Sequence, residues 1–226
     1  MSHSHINLQP ADSVVEYHQF LRKAIIKLLL YAKKLENKNL KVLDVGLGRG
    51  ELLRDIKETG FDSVGIDFDE KCVELGLQYA PCYQLDIYDV SQKFEKDSFD
   101  VVILSHILEH LENPKKALEE IKEVTKKWII ISVPNLSQIT YLIFKKHFGY
   151  VNKTHLYGWN ATHLKTFLEM SCQLKIEKWQ ADKVFIPNRL NFLNIFSIKK
   201  KLENEILPRK FPFLSHSLIC LCRKII

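Results

Sequence analysis

Apolar positions follow two different spacings along this chain. Residues 14–34 alternate apolar and basic positions at a helical period, which predicts an amphipathic helix. Farther along, the apolar residues gather into short runs of strand length, at 41–45, 63–66, 82–85, 100–104, 128–133, 174–179 and 218–223. Helical segments follow the first, second and fourth of these runs. This alternation predicts a parallel sheet with helices on both faces and right-handed crossovers.

The predicted fold class is α/β, with a Rossmann-like, doubly wound and mostly parallel sheet of seven strands. The last two apolar runs are expected to form an antiparallel C-terminal strand pair at one edge. A chain of 226 residues with 46% hydrophobic residues suits a single domain. Within it we expect an N-terminal helical cap (1–36), a cofactor-binding core (37–135) and a substrate-side lid with the C-terminal strands (136–226).

Composition narrows the class of protein only a little. The net charge of +6 permits an anionic substrate or a nucleic acid but demands neither, because the longest block of one sign is the triplet at 199–201. Five cysteines without a C-x-x-C pair indicate buried thiols and neither a disulfide framework nor a zinc site. No run is long enough for a transmembrane segment and residues 1–5 lack a signal-peptide core, so we expect a cytoplasmic protein.

A glycine-rich turn, VLDVGLGRG at 42–50, follows the first predicted strand. Glycines let the backbone turn tightly and let a ligand lie against it. The second strand ends in VGID, which places Asp67 at the neighbouring strand tip. A carboxylate there can accept hydrogen bonds from two ribose hydroxyls, and ligands of such sheets bind beyond the carboxyl ends of the strands. The two features together predict an adenosine-containing cofactor.

The spacing argues against a dinucleotide. The dinucleotide fingerprint requires a third glycine at position 51, where this chain has Glu51. That carboxylate would compete with a pyrophosphate for the N–H groups at the helix start. Asp44, just before the turn, suits an ammonium group better than a phosphate. These features favour a cofactor that carries an amino acid.

Four motifs in order resemble those of class I S-adenosylmethionine (SAM)-dependent methyltransferases: VLDVGLGRG, VGIDFD, LDIYD and FDVVILSHILEHLENP. The chain is most similar to the branch of methyltransferase types 11 and 23 that has a Glu-His pair after strand four. The resemblance covers residues 40–135 well and the remainder loosely. It implies SAM as cofactor, S-adenosylhomocysteine as product, and methyl transfer by in-line displacement.

The resemblance also implies which residues contact the methionine part of SAM. Asp44 and the backbone at Gly46 would hold its amino group. Gly48 and Gly50 would allow the cofactor to approach the backbone closely. Ser105, at the tip of strand four, would lie near the methionine moiety.

At the adenosine end, the resemblance implies that Asp67 binds the ribose and that Phe68 packs beside the adenine. Asp86 would accept a hydrogen bond from the exocyclic amine of the adenine, and Ile87 would lie against the face of the ring. Leu47 stands where the family often has a small or sulfur-containing residue, and we expect the fold to tolerate it.

His106, His110 and His155 are the candidate catalytic residues, and His155 is the first to test as a base. We expect no metal, with one alternative. Ubiquinone-pathway O-methyltransferases and small-RNA 2′-O-methyltransferases carry Glu-x-x-Glu-His after strand four, and the RNA enzymes add a downstream histidine. Here His106 replaces the first glutamate, so the alternative metal site is His106, Glu109, His110 and His155. One helical turn would place positions 106, 109 and 110 on one face.

The acceptor is expected to be a small molecule that is methylated at oxygen. Two alternatives stay open: an RNA 2′-O-methyltransferase with a His/Glu metal site, and a non-enzymatic SAM-binding protein. The segment 185–213 mixes apolar and basic residues and is interpreted as a substrate cover or a dimer contact, so a homodimer is a further expectation.

Overall fold

The computed structural model describes residues 12–137, 154–186 and 196–225. Its helices are α1 Asp12–Glu36, α2 Glu51–Glu58, α3 Glu70–Gly76, α4 Val90–Lys93, α5 Pro114–Val124, α6 Ala161–Thr166, α7 Phe196–Lys201 and α8 Leu207–Lys210. Its strands are β1 Lys41–Val45, β2 Asp62–Asp67, β3 Cys82–Gln84, β4 Phe99–Ser105, β5 Thr125–Pro134, β6 Leu174–Gln180 and β7 Ser217–Lys224. Short 3₁₀ turns cover Ile87–Asp89, Leu108–His110 and Pro212–Leu214, and π-helical turns cover Phe167–Ser171 and Leu202–Ile206.

The seven strands form one sheet in the order β3-β2-β1-β4-β5-β7-β6. Strands β1 to β5 pair in parallel, and β7 pairs antiparallel with both β5 and β6. Because β6 opposes β7, it runs in the same direction as the first five strands. The carboxyl ends of β1 to β6 and the start of β7 therefore lie along one edge of the sheet. The predicted fold class is confirmed.

Each face of the sheet is covered by its own helices, because alternate residues of a strand point to opposite faces. Val102 and Leu104 of β4 belong to the core cluster that contains the apolar side of α5, whereas Val101 and Ile103 belong to the cluster that contains α1 and α2. The apolar side of α5 is the predicted stripe of Ala117, Leu118, Ile121 and Val124. Burial on both faces explains why the central strands are mostly apolar.

The C-terminal cysteines follow the same alternation. Cys220 and Cys222 share one face of β7, with their sulfur atoms 3.6 Å apart, and Leu221 points to the other face. All five cysteines lie in the described parts of the chain, where they are buried and form no disulfide. Their predicted state as buried thiols is confirmed.

The structure bears only in part on the predicted membrane topology, lid and cover. Among the residues that the structure describes, no helix combines the length and the apolar character that a membrane span needs. Residues 138–153 of the predicted lid and 187–195 of the predicted cover lie outside the described residues. The division into cap, core and lid, the cytoplasmic location and the homodimer stay predictions.

Candidate active site

The glycine turn between β1 and α2 lies at the edge where the strands end. Gly46, Gly48 and Gly50 have φ values of 70°, 56° and 75°, in the left-handed region that side chains rarely adopt. The N–H groups of Gly46 and Leu47 both donate to the carbonyl oxygen of Ile66 on β2, at 2.8 and 3.2 Å. A Cβ atom on Gly46 would lie 2.2 Å from Cδ1 of Ile107, so a side chain there would have to displace the tip of Ile107 as well as adopt a strained backbone.

Asp44 lies just inside this turn and is 1% exposed. Its Oδ2 atom has no hydrogen-bond partner within the described part of the chain. Burial, together with the nearby charge of Asp67, raises the pKa of the Asp44 carboxyl to about 8. A buried carboxylate without a counter-charge is unfavourable, and a cationic amino group held at the turn would remove that penalty. The site therefore fits the amino acid end of SAM.

Asp67, at the end of β2, connects this strand to the glycine turn. It is 4% exposed, its Oδ2 accepts a hydrogen bond from the Gly48 N–H at 3.0 Å, and its Oδ1 accepts one from the Asp69 N–H at 3.0 Å. Burial raises the pKa of Asp67, and these N–H groups oppose that shift. Each carboxylate oxygen has a second lone pair, which gives the two acceptor sites that vicinal ribose hydroxyls require.

The predicted adenine contacts follow β2 and β3, which are neighbours in the sheet. Phe68 is 55% exposed although it is a large apolar residue, and its carbonyl oxygen accepts a hydrogen bond from Gln84 on β3 at 3.0 Å. Asp86 begins the 3₁₀ turn by accepting from the Tyr88 N–H at 3.0 Å, and Ile87 is buried behind it. An exposed aromatic ring at the end of β2 suits packing against a flat heterocycle. The roles of these residues stay predictions.

Ser105 and His106 lie at the end of β4. The Oγ atoms of Ser105 and Ser132 are 3.2 Å apart, which ties the ends of β4 and β5 together. His106 has a left-handed backbone, with φ 57°, and its N–H donates to the Ser132 carbonyl oxygen at 2.9 Å. The prediction of one helical turn through positions 106 to 110 is therefore wrong, because the 3₁₀ turn begins only at Leu108.

Glu109, His110 and His155 form a compact group next to this strand end, with one potential ligand atom from each residue within 4.8 Å of the others. The His110 and His155 rings meet edge to face at 4.7 Å. Glu109 is 0% exposed, and neither of its carboxyl oxygens has a hydrogen-bond partner among the residues described here. Burial raises the pKa of the Glu109 carboxyl to about 8. This group contains three of the four residues of the alternative metal site.

Backbone hydrogen bonds hold the two segments of this group together. The carbonyl oxygen of Glu109 accepts from the N–H groups of Leu156 and Tyr157, at 2.7 and 3.2 Å. The Nδ1 atom of His110 lies 3.1 Å from the carbonyl oxygen of Thr154. A ring N–H that donates to a carbonyl leaves Nε2 as the ligand nitrogen, which is the usual second-shell arrangement of a metal-bound histidine.

His106 has a different environment from these three residues. Its Nε2 lies 3.1 Å from the Oγ of Ser217, and its Nδ1 is 3.8 Å from the nearest oxygen of Glu109, too far for a hydrogen bond. Burial, and then the neighbouring His216, hold the pKa of His106 well below its ordinary value. The structure thus places His106 beside the group of Glu109, His110 and His155, with its ring hydrogen-bonded to Ser217 of β7.

Sequence reasoning missed a buried polar cluster at the same edge. Asp182 and Lys183 follow β6, and Ser217 begins β7; all three are buried. The Lys183 ammonium lies 3.4 Å from a carboxylate oxygen of Glu203. The sequence signal for this cluster is the adjacent Asp-Lys pair, which lies shortly after the predicted strand at 174–179 and just before the apolar residues at 184–186.

Two curated relatives illustrate the similarity in sequence. The chain is 28% identical over 142 residues to a ubiquinone biosynthesis O-methyltransferase of Rickettsia bellii, covering 59% of this chain and 57% of the relative. It is 32% identical over 106 residues to a demethylmenaquinone methyltransferase of Renibacterium salmoninarum, covering 46% and 45%. The chain thus spans about half the length of these relatives.

Solved structures share the fold across nearly the whole chain. A SAM-dependent methyltransferase from Archaeoglobus fulgidus superposes with a TM-score of 0.61 at 22% identity, covering 95% of this chain and 100% of that one. The magnesium protoporphyrin IX methyltransferase of Synechocystis with bound S-adenosylhomocysteine gives 0.65 at 15% identity, covering 98% and 91%. At these identities the likeness concerns the fold.

The family is shown by a model described as a methyltransferase domain, which matches residues 17–171 of the 226. The matched region contains the glycine turn, Asp67 and the Glu109 group. The predictions of a class I methyltransferase fold, of an enzyme and of SAM as its cofactor are confirmed at the level of the family. With well over half of its residues matched, this chain belongs to the methyltransferase domain family.

Proposed function

We propose that this chain transfers a methyl group from SAM to an oxygen of a small-molecule acceptor. The observation that carries the proposal is the pair of buried carboxylates at the glycine turn, Asp44 and Asp67, of which Asp44 has an oxygen with no hydrogen-bond partner among the described residues. Asp44 suits an ammonium group, and Asp67 suits the vicinal hydroxyls of a ribose. SAM carries both kinds of group in one molecule. The names of the Rickettsia and Renibacterium relatives support a small-molecule acceptor, and the former supports oxygen.

SAM supplies a methyl group that is already activated by its positive sulfur, so alignment is the main task of the protein. Well-oriented reactants can gain about 7–11 kcal/mol over the same reaction between free molecules. Asp44 and Asp67 fix the cofactor at two points on the sheet edge. Ser105 at the end of β4, which pairs with β1, and His106 directly after it border the space where an acceptor would meet the methyl group. A base near an acceptor hydroxyl adds roughly 10²–10⁴ in rate.

Titration calorimetry tests the cofactor. We expect SAM and S-adenosylhomocysteine to bind and NAD to give no heat, since Glu51 and Asp44 disfavour phosphates at the turn. A panel of phenolic, carboxylic and amine acceptors with labelled SAM then tests the chemistry. Binding of NAD in place of SAM would contradict the proposal. Binding of SAM without transfer to any acceptor would favour the non-enzymatic alternative.

We also propose that Glu109, His110 and His155 hold a divalent cation beside the acceptor. Two imidazoles and one carboxylate suit zinc, iron or manganese, and the buried Glu109 carboxyl, without a hydrogen-bond partner in the described ranges, supports a missing cationic partner. Such an ion would act as a Lewis acid toward an acceptor oxygen. His106 is not included among these ligands because its Nε2 atom is within hydrogen-bond distance of Ser217.

Replacing His155 with alanine is expected to weaken zinc or manganese binding by at least about 100-fold, because even second-shell substitutions cost roughly 10–100-fold. SAM affinity should stay unchanged. The matched control is His163→Ala, which removes an exposed histidine of α6. Metal content measured after dialysis should fall in the first variant only. Equal metal binding in wild type and His155→Ala would contradict the metal site, leaving His155 as a candidate base.

An RNA 2′-O-methyltransferase is the alternative with a different class of acceptor. The His/Glu group and the net charge of +6 favour it. Binding to short RNA would have to weaken steeply as salt rises, since phosphate contacts release counterions. Weak RNA binding with little salt dependence would support the small-molecule acceptor.

A further inference from the structure

The glycine turn of residues 46–50 contains one apolar side chain, that of Leu47. This side chain is 5% exposed and packs in a small core cluster. The other members of the cluster are Leu53 of α2, Cys72 and Val73 of α3, and Cys82 of β3. Leu47 therefore connects the proposed cofactor turn to the part of the core that α2, α3 and β3 share.

Gly65 of β2 and Gly76 of α3 provide the space for this side chain. A Cβ atom on Gly65 would lie 2.7 Å from Leu47 Cδ2, and one on Gly76 would lie 3.0 Å from Leu47 Cδ1. The Sγ atom of Cys82 shares the space, at 3.0 and 2.7 Å from the same two Cβ positions. Neither glycine has a left-handed backbone, and glycine is less favourable than alanine inside a helix or a strand. Room for Leu47 and Cys82 is therefore the structural reason for glycine at both positions.

The backbone of Leu47 is part of the hydrogen bonds that shape the turn. Its N–H donates to the carbonyl oxygen of Ile66 at 3.2 Å, and its carbonyl oxygen accepts from the Gly50 N–H at 2.9 Å. The next N–H along the chain, that of Gly48, donates to Asp67 Oδ2 at 3.0 Å. A displacement of Leu47 would therefore move the N–H group that orients the proposed ribose carboxylate.

We propose that Leu47 is a positioning residue for SAM: its side chain, packed between Gly65 and Gly76, holds the glycine turn in the binding conformation before the cofactor arrives. Three of the five turn residues are glycines, which lose more backbone freedom on ordering than other residues do. A cofactor that meets an ordered turn spends no binding free energy on ordering it. The inference rests on the proposed binding of SAM at this turn. In this role the Leu47 side chain does not touch SAM.

Leu47→Ala tests the proposal, with Leu53→Ala as the matched control. Both variants remove the same atoms from the same buried cluster, but Leu53 lies on α2, outside the turn. Both should unfold at lower urea concentration than the wild type. Titration calorimetry should show SAM affinity falling by about 10-fold or more in Leu47→Ala and by less than about 3-fold in Leu53→Ala. Equal SAM affinities in the two variants would overturn the proposal, because a role confined to stability would affect both alike.

A methyl group added to the space around Leu47 gives a second test. Gly65→Ala places its Cβ against Leu47 Cδ2 and is expected to weaken SAM binding. In the Leu47→Ala background this contact is gone, and the neighbouring side chains have room to move. Gly65→Ala should therefore cost less SAM affinity there than in the wild type, so that the two changes combine non-additively. Additive losses of affinity would contradict the positioning role.

Amide hydrogen exchange without SAM separates this inference from the proposed function. The Gly48 N–H, which donates to Asp67, should exchange faster in Leu47→Ala than in the wild type and at the wild-type rate in Leu53→Ala. Unchanged protection of this N–H in Leu47→Ala would overturn the inference. If Leu47→Ala does not fold, Leu47→Val, which removes less of the side chain, replaces it in all three measurements. Absence of SAM binding in the wild type would overturn the proposed function and leave the exchange result unaffected.

Discussion

Replacing Asp67 with asparagine is expected to weaken SAM binding by about 30- to 1000-fold, which corresponds to roughly 2–4 kcal/mol. The carboxylate already accepts from the Gly48 and Asp69 N–H groups and has one lone pair on each oxygen left for the ribose. An amide has a single acceptor oxygen, so it loses a hydroxyl contact and also places an NH₂ group against a backbone N–H. Titration calorimetry measures both losses together.

The matched control for this experiment is Asp62→Asn. Asp62 begins the same strand, is exposed, and lies at the opposite end from the glycine turn. SAM affinity in this variant should equal that of the wild type. If Asp67→Asn and Asp62→Asn bound SAM equally well, the ribose site would have to lie elsewhere, and the proposal of a cofactor spanning Asp44 and Asp67 would fail.

The sequence predicted the sheet well because the physical causes of strands are local. Buried parallel strands must be apolar on both faces, so β1, β2 and β4 appear as runs whose ends match the structure within about two residues. β5 is longer than its predicted run of 128–133, since it begins at Thr125 and includes two exposed lysines. Pairing with β4 and β7 sets that length, and hydrophobicity does not reveal it.

The candidate site was predictable where its residues follow directly from strand ends. Asp44 and Asp67 lie beside the glycine turn because β1 and β2 pair in parallel. The sequence predicts this, because each aspartate lies at or next to the end of its predicted strand. The hydrogen bond between the His106 ring and Ser217 was not predictable. Ser217 is 111 positions away in the sequence and reaches the site through the antiparallel strand β7. The helical turn predicted at 106–110 is wrong for a similar reason: the His106 N–H donates to the Ser132 carbonyl oxygen of β5, which continues the sheet pairing beyond β4, and the His106 backbone is left-handed.

The two buried aspartates of β1 and β4 should give opposite dependences of stability on pH. Burial raises the pKa of Asp44 to about 8, so its neutral form stabilises the fold fully below about pH 4 and this stabilisation is lost as the pH rises toward 8. The loss amounts to about 1.4 kcal/mol per pH unit within that window. Asp100 is also buried, but hydrogen bonds from Lys38 and from the Lys41 N–H lower its pKa. Its stabilisation is present at neutral pH and is lost as the pH falls through its folded-state pKa.

Asp44→Asn should therefore become more stable relative to the wild type as the pH rises from about 5 to about 8, in urea unfolding without SAM. Asp100→Asn should be less stable than the wild type at neutral pH and approach it in acid. A difference for Asp44→Asn that did not change with pH would show that this carboxyl is ionised in the folded protein.

The same carboxyl predicts a proton released on SAM binding. A neutral Asp44 must ionise to pair with the methionine ammonium, so at pH 7 about one proton should leave the site for each SAM bound. Calorimetry in two buffers of different ionisation enthalpy measures this number directly. In Asp44→Asn the release should vanish and SAM affinity should fall, because the ammonium loses the buried carboxylate that Asp44 supplies. In Asp100→Asn, both the proton count and the affinity should match the wild type. Binding without proton release in the wild type would mean that the amino group of SAM is held by the backbone at Gly46 alone, with the Asp44 carboxyl left neutral beneath it.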